Sequence, residues 1–262
     1  MYMHGSVSAD WIMRVEHAID RMNQDLSQPL LLSELARSAP FSRFHFHRIF
    51  QAVTSLTPGR FLAALRMAEA RRLLLHSALA VCVIGPQVGY TSVGTFTTQF
   101  TRHVGMPPEQ FRKVARAAAR HRGQVFPSPA GGVGPVVCPE HWQPGELLVV
   151  GWRAAAGGAV ESCVAVGPGP TLVPLPGDGR TYRVRVFLVR ASGRPTQALV
   201  DQHSDSYLVG AVAQPLTAGG PATAPVRVSL RRPRAIDPPL LSAAPLVWLA
   251  ESAGSLRLDR SA

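Results

Sequence analysis

The stretches FSRFHFHRIFQAVTSLTPGRF (residues 41–61) and TSVGTFTTQFTRHVGMPPEQF (residues 91–111) fall into register at an offset of 50 residues. Ser42 then meets Ser92, Phe46 meets Phe96, Phe50 meets Phe100, Pro58 meets Pro108 and Phe61 meets Phe111. Self-similarity at a fixed period marks one supersecondary unit built more than once. The paired aromatics stand four apart within each copy, the spacing of a single helix face. The chain must therefore raise the same helical scaffold twice and hang different side chains on it.

In the first copy Ser42 is the expected cap of a helix with Phe46, Ile49, Phe50 and Val53 on one face. Ser33 opens a shorter helix ahead of it, SELARSA, which Pro40 ends. Two short helices joined by a tight turn, the second basic on its outer side, predict a helix-turn-helix. Turning about 100° per residue from Phe46, Phe44, His47, Arg48 and Gln51 point away from the core. Arginine on guanine, glutamine on adenine and an aromatic on the thymine methyl are major-groove pairings.

In the second copy Gly89 ends the first helix, Ser92 caps the second, and Phe96 with Phe100 form the core face. Thr95, Thr97, Thr98 and Arg102 face outward. Between the copies PGRFLAALRMAEARRLLLHS predicts one long connector from Pro58 to about Ser77. Its expected buried face is Phe61, Leu62, Leu65, Ala68 and Leu73 or Leu75, and Pro58 suits a first turn. An amphipathic helix over DWIMRVEHAIDRMNQDL precedes both copies, with Ile12, Val15, Ile19, Met22 and Leu26 aligned and Asp10 as its cap. A closing helix runs from VGMPPEQF through RKVARAAARHR.

Composition changes near residue 123. The chain of 262 residues carries a formal net charge of +11, of which +8 lies in residues 1–123. Prolines divide 6 to 17 and glycines 7 to 16 across that line. The first part reads as helical and basic, the second as short strands joined by turns. VFPSPAGGVGPVVCPE, within 124–145, reads as the linker, because proline and glycine break both kinds of element. All basic residues but Lys113 are arginine, which favours planar contacts to phosphates and guanine edges. Hydrophobic residues make up 46%, enough for real cores. No CxxC pair joins Cys82, Cys138 and Cys163. No basic start precedes an apolar segment, and no run of about 18 apolar residues occurs. The expectation is a cytoplasmic, nucleoid-associated protein with no membrane partner.

GPQVGYTSVGTFTTQFTRHVGMPPEQFR, from Gly85 to Arg112, resembles the signature of the AraC/XylS family of bacterial transcription regulators. It matches at Gly89, Tyr90, Ser92, Phe96, Phe100, Gly105, Pro108, Phe111 and Arg112, and the resemblance covers roughly residues 10–116. It implies an all-α domain, residues 10–123, with two helix-turn-helix units joined by a helix, that binds double-stranded DNA sequence-specifically. By the same resemblance Arg43, Phe44, His47 and Arg48 carry base or phosphate contacts in the first unit. Val93, Gly94, Thr95, Thr97 and Thr98 occupy the equivalent places in the second. Arg112 is assigned to a phosphate, and RNA polymerase and a small-molecule effector are the further partners to test. The chain departs from the family at Gly85-Pro86, where proline removes a helical bond at a cost of about 3 kcal/mol. Either the helix begins at Pro86 or it bends there. With a threonine-rich second helix, the second unit is expected to position more than it specifies.

Residues 146–250 predict a small all-β, sandwich-like domain. TYRVRVFLVR alternates, and ELLVVGWR, VESCVAVG, SYLVGAVA and PVRVSL are further strand-length runs between turn clusters. GPGPTLVPLPGDGRTYRVRV is similar to the transthyretin-like sandwiches that follow the DNA-binding part in some AraC-type proteins. A GyrI-like effector-binding domain is the rival; it needs two sizeable helices between residues 146 and 230, which the sequence does not offer. PLVWLAES in the tail reads as a returning strand or a loose segment.

His45 and His47 point about 200° apart on a helix and cannot clasp one metal ion. His47 is a DNA contact or a solvated imidazole. Arg71-Arg72 and Arg112-Lys113-Arg116 are solvated faces or phosphate contacts. Cys163 reads as a small buried hydrophobe, and Cys138 as a redox sensor or an incidental linker thiol. No nucleophile elbow, P-loop or metal motif appears, so neither an enzyme nor a cofactor is expected. Two rival functions remain: a non-specific architectural DNA-binding protein, and an interaction protein whose β domain is the working part.

Overall fold

In the computed structural model, residues 9–28, 43–120, 136–143, 146–154, 163–167, 170–172, 175, 178–190, 194–202, 207–217 and 225–252 are described. Helix α1, Ala9–Gln24, buries Val15, Ala18, Ile19 and Met22. Asp10 is in its first turn and pairs with Arg14 at 2.9 Å, so it is an ion-pair partner and not the expected cap. The short helix expected over SELARSA, and Ser42 with it, lie outside the described residues. Helix α2, Arg43–Thr54, buries Phe46 and Phe50.

Helix α3, Pro58–His76, is the predicted connector. The Thr57 hydroxyl accepts from the Arg60 N–H at its start, and proline fills the first turn. Its buried stripe is Phe61, Ala64, Met67, Ala70, Arg71 and Leu74, shifted from the expected leucine face. Leu62, Leu65, Ala68, Leu73 and Leu75 are half-buried. The helix is covered on several sides, so it has no single apolar face for periodicity to find.

Helix α4, Val81–Gln87, begins before Pro86 and runs through it. Pro86 stands in the last turn, where the lost N–H bond costs little of the remaining helix. The chain then turns at Gly89, φ +83°. Tyr90 N–H donates to the Gly85 carbonyl and Gly89 N–H to that of Pro86, the paired closure of a left-handed helix end. Helix α5, Val93–Val104, follows, and helix α6 is Pro108–Ala119.

The remaining chain is rich in strands: β1 Val136–Pro139, β2 Leu147–Ala154, β3 Cys163–Gly167, β4 Thr171–Leu172, β5 Thr181–Val189, β6 Tyr207–Ala211, β7 Leu216–Thr217 and β8 Val226–Val228. One sheet runs β3-β2-β5-β6, with β7 also on β5, all antiparallel. The other runs β4-β1-β8, with β1 and β8 parallel. Val137 and Val228 from the small sheet share a buried cluster with Leu148, Val150, Trp152, Val184, Val186 and Leu188 from the large one. β5 alternates at first and is then buried continuously from Val186 to Val189, because both faces of its second half are covered. Helix α7, Pro195–Asp201, packs on β5, and helix α8, Ala244–Ser252, packs on β3 and on α6.

Three expectations are corrected here. The linker over 124–145 contains β1, whose carbonyls and N–H groups pair with β4 and β8. The region is not all-β: α7 and α8 interrupt it. PLVWLAES is helical, because Leu246, Leu249 and Ala250 fall on one face and bury against α6. Among the described residues between 146 and 230 there is one helix, α7, of 7 residues.

Two compact units emerge: Met1–His103 with Arg234–Leu241, and Val104–Pro233 with Ser242–Ala262. The segment Arg234–Leu241 thus belongs with α1 to α5. Ile236 joins the cluster of Val15, Ile19, Met22, Phe46, Phe50 and Phe61. Arg234 pairs with Glu16 at 2.9 Å on the surface. Burying an isoleucine is worth about 1.5–3 kcal/mol and an exposed ion pair about 0–1 kcal/mol, so Ile236 is the main anchor. Among the described residues no helix is long and apolar enough to cross a membrane.

Candidate nucleic-acid interface

The repeat seen in the sequence is a repeat in space. Helices α2 and α5 start and end at the same offset of 50. The rings of Phe46 and Phe50 lie 5.8 Å apart at 56°, those of Phe96 and Phe100 5.7 Å apart at 55°. Both helices end on a residue in the left-handed region, Ser55 at φ +61° and Gly105 at φ +93°. Phe61 N–H bonds the Thr57 carbonyl at 2.9 Å, and Phe111 N–H the Pro107 carbonyl at 2.9 Å. Thr54 fills the place of Val104; its buried hydroxyl lies 2.8 Å from the Phe50 carbonyl and 3.2 Å from the Leu56 N–H. That contact steadies the turn at Ser55, where a side chain is disfavoured.

With the shared face buried, the opposite faces are presented. On α2 Phe44 is 69% exposed, Arg48 and Gln51 are exposed, and His47 is half-buried. Arg43 starts the helix; its side chain lies outside the described residues. His45 meets the Trp11 ring of α1 edge-on at 5.0 Å, which fixes the first turn of α2 beside Phe44. On α5 Val93, Gly94, Thr95, Thr98 and Arg102 are exposed and Thr97 is half-buried. Ser92 is the predicted cap: its hydroxyl accepts from the Thr95 N–H at 3.1 Å and donates to the Thr95 hydroxyl at 2.9 Å. Neither helix contains an acidic residue. Both outer faces therefore suit a polyanion, the first by charge and the second by neutral hydroxyls with Arg102 at its end. Burial holds the His103 imidazole below its ordinary pKa, and the Arg102 charge adds to this.

Sequence reasoning placed two arginines wrongly, Arg112 and Arg71, and missed a third. Arg112 is only 10% exposed, lies 3.4 Å from Glu109 and belongs to the buried side of α6, so it is not offered to a phosphate. Arg71 is fully buried on α3 and donates to the Leu240 carbonyl. Burial pushes its pKa down to about 9, so it keeps its charge at neutral pH. Arg72 is held by Glu69 through two bonds of 2.8 Å. Periodicity sees Arg71 and Arg112 as polar and assigns them to solvent.

The missed residue is Arg66. From α3 it donates to the Leu26 carbonyl at 2.9 Å and the Gln28 carbonyl at 2.8 Å, and its guanidinium lies 5.8 Å from the Tyr90 ring centre. A Cβ on Gly89 would sit 2.4 Å from the Leu26 carbonyl oxygen and 2.7 Å from the Arg66 guanidinium carbon. Arg66 therefore ties the segment that follows α1, the connector and the turn before α5 at one point. The glycine in the turn, visible in the sequence, was the one signal for such a close approach.

A family model described as a helix-turn-helix domain matches residues 35–114. Residues 35–114 are an AraC-type helix-turn-helix domain. Similar to it are the lactose operon transcription activator of Staphylococcus xylosus, 28% identical over 37% of this chain and 35% of that one, and the melibiose operon regulatory protein of Escherichia coli, 28% identical over 47% and 39%. Among solved structures, the DNA-binding domain of the global transcriptional factor AdpA in complex with a target DNA is 28% identical, covering 44% of this chain and all of that one, with a TM-score of 0.37. The chain spans about a third of the length of the curated relatives it matches. The matched residues take in α2 to α5 and the first half of α6.

Proposed function

We propose that this protein is a sequence-specific DNA-binding transcription regulator in which α2 and α5 read successive major-groove segments of one duplex. The observation that carries this is the duplicated buried skeleton under two different outer faces. Phe44, His47, Arg48 and Gln51 supply the side chains of the first face; Thr95, Thr97, Thr98 and Arg102 supply those of the second. The connector of 19 residues spans roughly 28 Å at 1.5 Å per residue, close to the about 34 Å between grooves on one duplex face. Any mismatch is met by bending the duplex, at a cost of order 1–6 kcal/mol. Arg66 and Gly89 hold the second unit to the first, so the spacing is set by the protein. The relatives named above are regulators and not enzymes, which supports a non-catalytic role.

The strand-rich region is proposed as the part that senses a ligand or meets another protein, RNA polymerase included. Two sheets with a shared buried cluster support the sandwich-like reading of it. Selection of duplexes from a random pool by the full-length protein tests the proposal. Two unlike half-sites about one helical turn apart are expected. Equal retention of all sequences would replace it with non-specific architectural binding.

A further inference from the structure

We propose that Arg234–Leu241 is a strap through which the strand-rich unit sets the first reader, so that α2 answers to a perturbation made in the sheet. The proposal rests on α2 being a DNA reader. The chain leaves the second unit after Pro233, enters the first, and returns to the second at Ser242. Both ends are fastened. Before the strap, Val209 and Arg231 exchange two backbone bonds of 2.8 and 2.9 Å, which joins the strap's root to β6. After it, Ala243 N–H donates to the Val104 carbonyl at 2.9 Å, and α8 begins.

Between these anchors the strap has its own shape. Arg234 N–H donates to the Asp237 carboxylate at 2.7 Å, and Asp237 N–H to the Arg234 carbonyl at 2.9 Å, which closes a turn around Ile236. That turn puts Ile236 in the cluster with Phe46 and Phe50, on the side of α2 opposite Arg48 and Gln51. Arg234 reaches Glu16 of α1, and Arg71 of the connector holds the Leu240 carbonyl. A shift at the Val209–Arg231 anchor is thus delivered to the residue on which the recognition helix sits. The cluster that Ile236 joins contains Phe46, Phe50 and Phe61 but neither Phe96 nor Phe100. Ala243 bonds Val104, the last residue of α5, so the readers are separated at the other end: a perturbation of the Val209–Arg231 bonds should be felt by α2 and not by α5.

Gly210 offers a lever in the second unit alone. A Cβ there would lie 2.6 Å from the Ser229 carbonyl oxygen and 2.7 Å from a Val228 methyl, beside the Val209–Arg231 bonds. Hydrogen–deuterium exchange of the full-length chain, without DNA, is compared for the unmodified protein, Ile236→Ala and Gly210→Ala. Both variants should exchange at least tenfold faster over residues 43–54 and at the unmodified rate over residues 93–104. Should Gly210→Ala not fold, Arg231→Pro removes the N–H that Arg231 donates to the Val209 carbonyl and makes the same test. An unchanged rate over 43–54 in the sheet variant, or an equal rise in both helices, would overturn the strap. Failure of the unmodified chain to bind DNA would instead sink the functional reading and leave the exchange result standing.

Discussion

The two copies of the repeat, around α2 and around α5, keep one another's interior and share almost nothing of one another's outer face. Phe46, Phe50, Pro58 and Phe61 recur as Phe96, Phe100, Pro108 and Phe111, all buried. At the presented positions Phe44, His47, Arg48 and Gln51 stand where the second copy has Gly94, Thr97, Thr98 and Thr101. The turn after each helix differs in kind as well. The second uses glycine in the left-handed region, and the first uses serine there with the Thr54 hydroxyl bracing it. Packing selects shape, so the interior tolerates little change. A solvated face is free to diverge, and chemistry against a partner is what can give it direction.

Breaking the shared interior should produce the largest effects, and equal ones. Phe50→Ala and Phe100→Ala are each expected to cost about 3–5 kcal/mol of stability, measured by urea unfolding of the full chain. A much smaller cost for one would mean that the copies do not share a scaffold. Breaking the outer faces should instead separate them. Arg48→Ala is expected to lose about 1–3 kcal/mol of specific binding at one or two base pairs. Thr98→Ala, which removes a neutral hydroxyl, should lose about 0.5–1.5 kcal/mol. Base-pair scanning should find the larger penalties under α2, and equal penalties in both half-sites would contradict an unequal pair of readers.

The two turns differ by a smaller energy. Ser55→Gly should relieve left-handed strain and stabilise by about 1 kcal/mol or less, once the looser unfolded glycine is counted. Gly105→Ser should destabilise by a similar amount, since nothing lies within 4 Å of its added Cβ. The smallest effect is expected from His103. Its folded pKa lies below its unfolded value near 6.5, so the folded state binds fewer protons. Stability is then fullest above that pH and declines as pH falls through it. Melting temperatures between pH 7.5 and 5.5 should show the decline, and His103→Gln should flatten it.

Much of the helical region was legible because its residues recur. Phe46 and Phe96 each declare a face, and a repeat states the same face twice. The cap at Ser92 and the turn at Gly89 were legible for a local reason: each acts within a few residues of itself. The buried arginines were not. Arg71, Arg66 and Arg112 owe their places to partners that periodicity does not see, such as the Leu240 and Leu26 carbonyls. Ile236 was illegible for the same reason, standing in a proline-rich tail far along the chain from Phe46. In the strand-rich region β2, β3, β5, β6 and β8 were found from runs of apolar residues. β1 was hidden in a glycine-proline stretch, and its pairing with β8 is set by residues almost ninety positions away, 139 against 228. The tail helix α8 was missed because a short apolar run fits strand and helix equally.

Operator geometry decides whether one chain holds two unlike readers at a fixed spacing. Five base pairs inserted between the half-sites turn the second onto the opposite duplex face, since about 10 base pairs make one turn. The full-length protein should bind the parent operator as a monomer and lose most of its specific affinity for the inserted one at fixed salt. Undiminished binding to the inserted operator, or binding to the parent only as a dimer, would contradict the account.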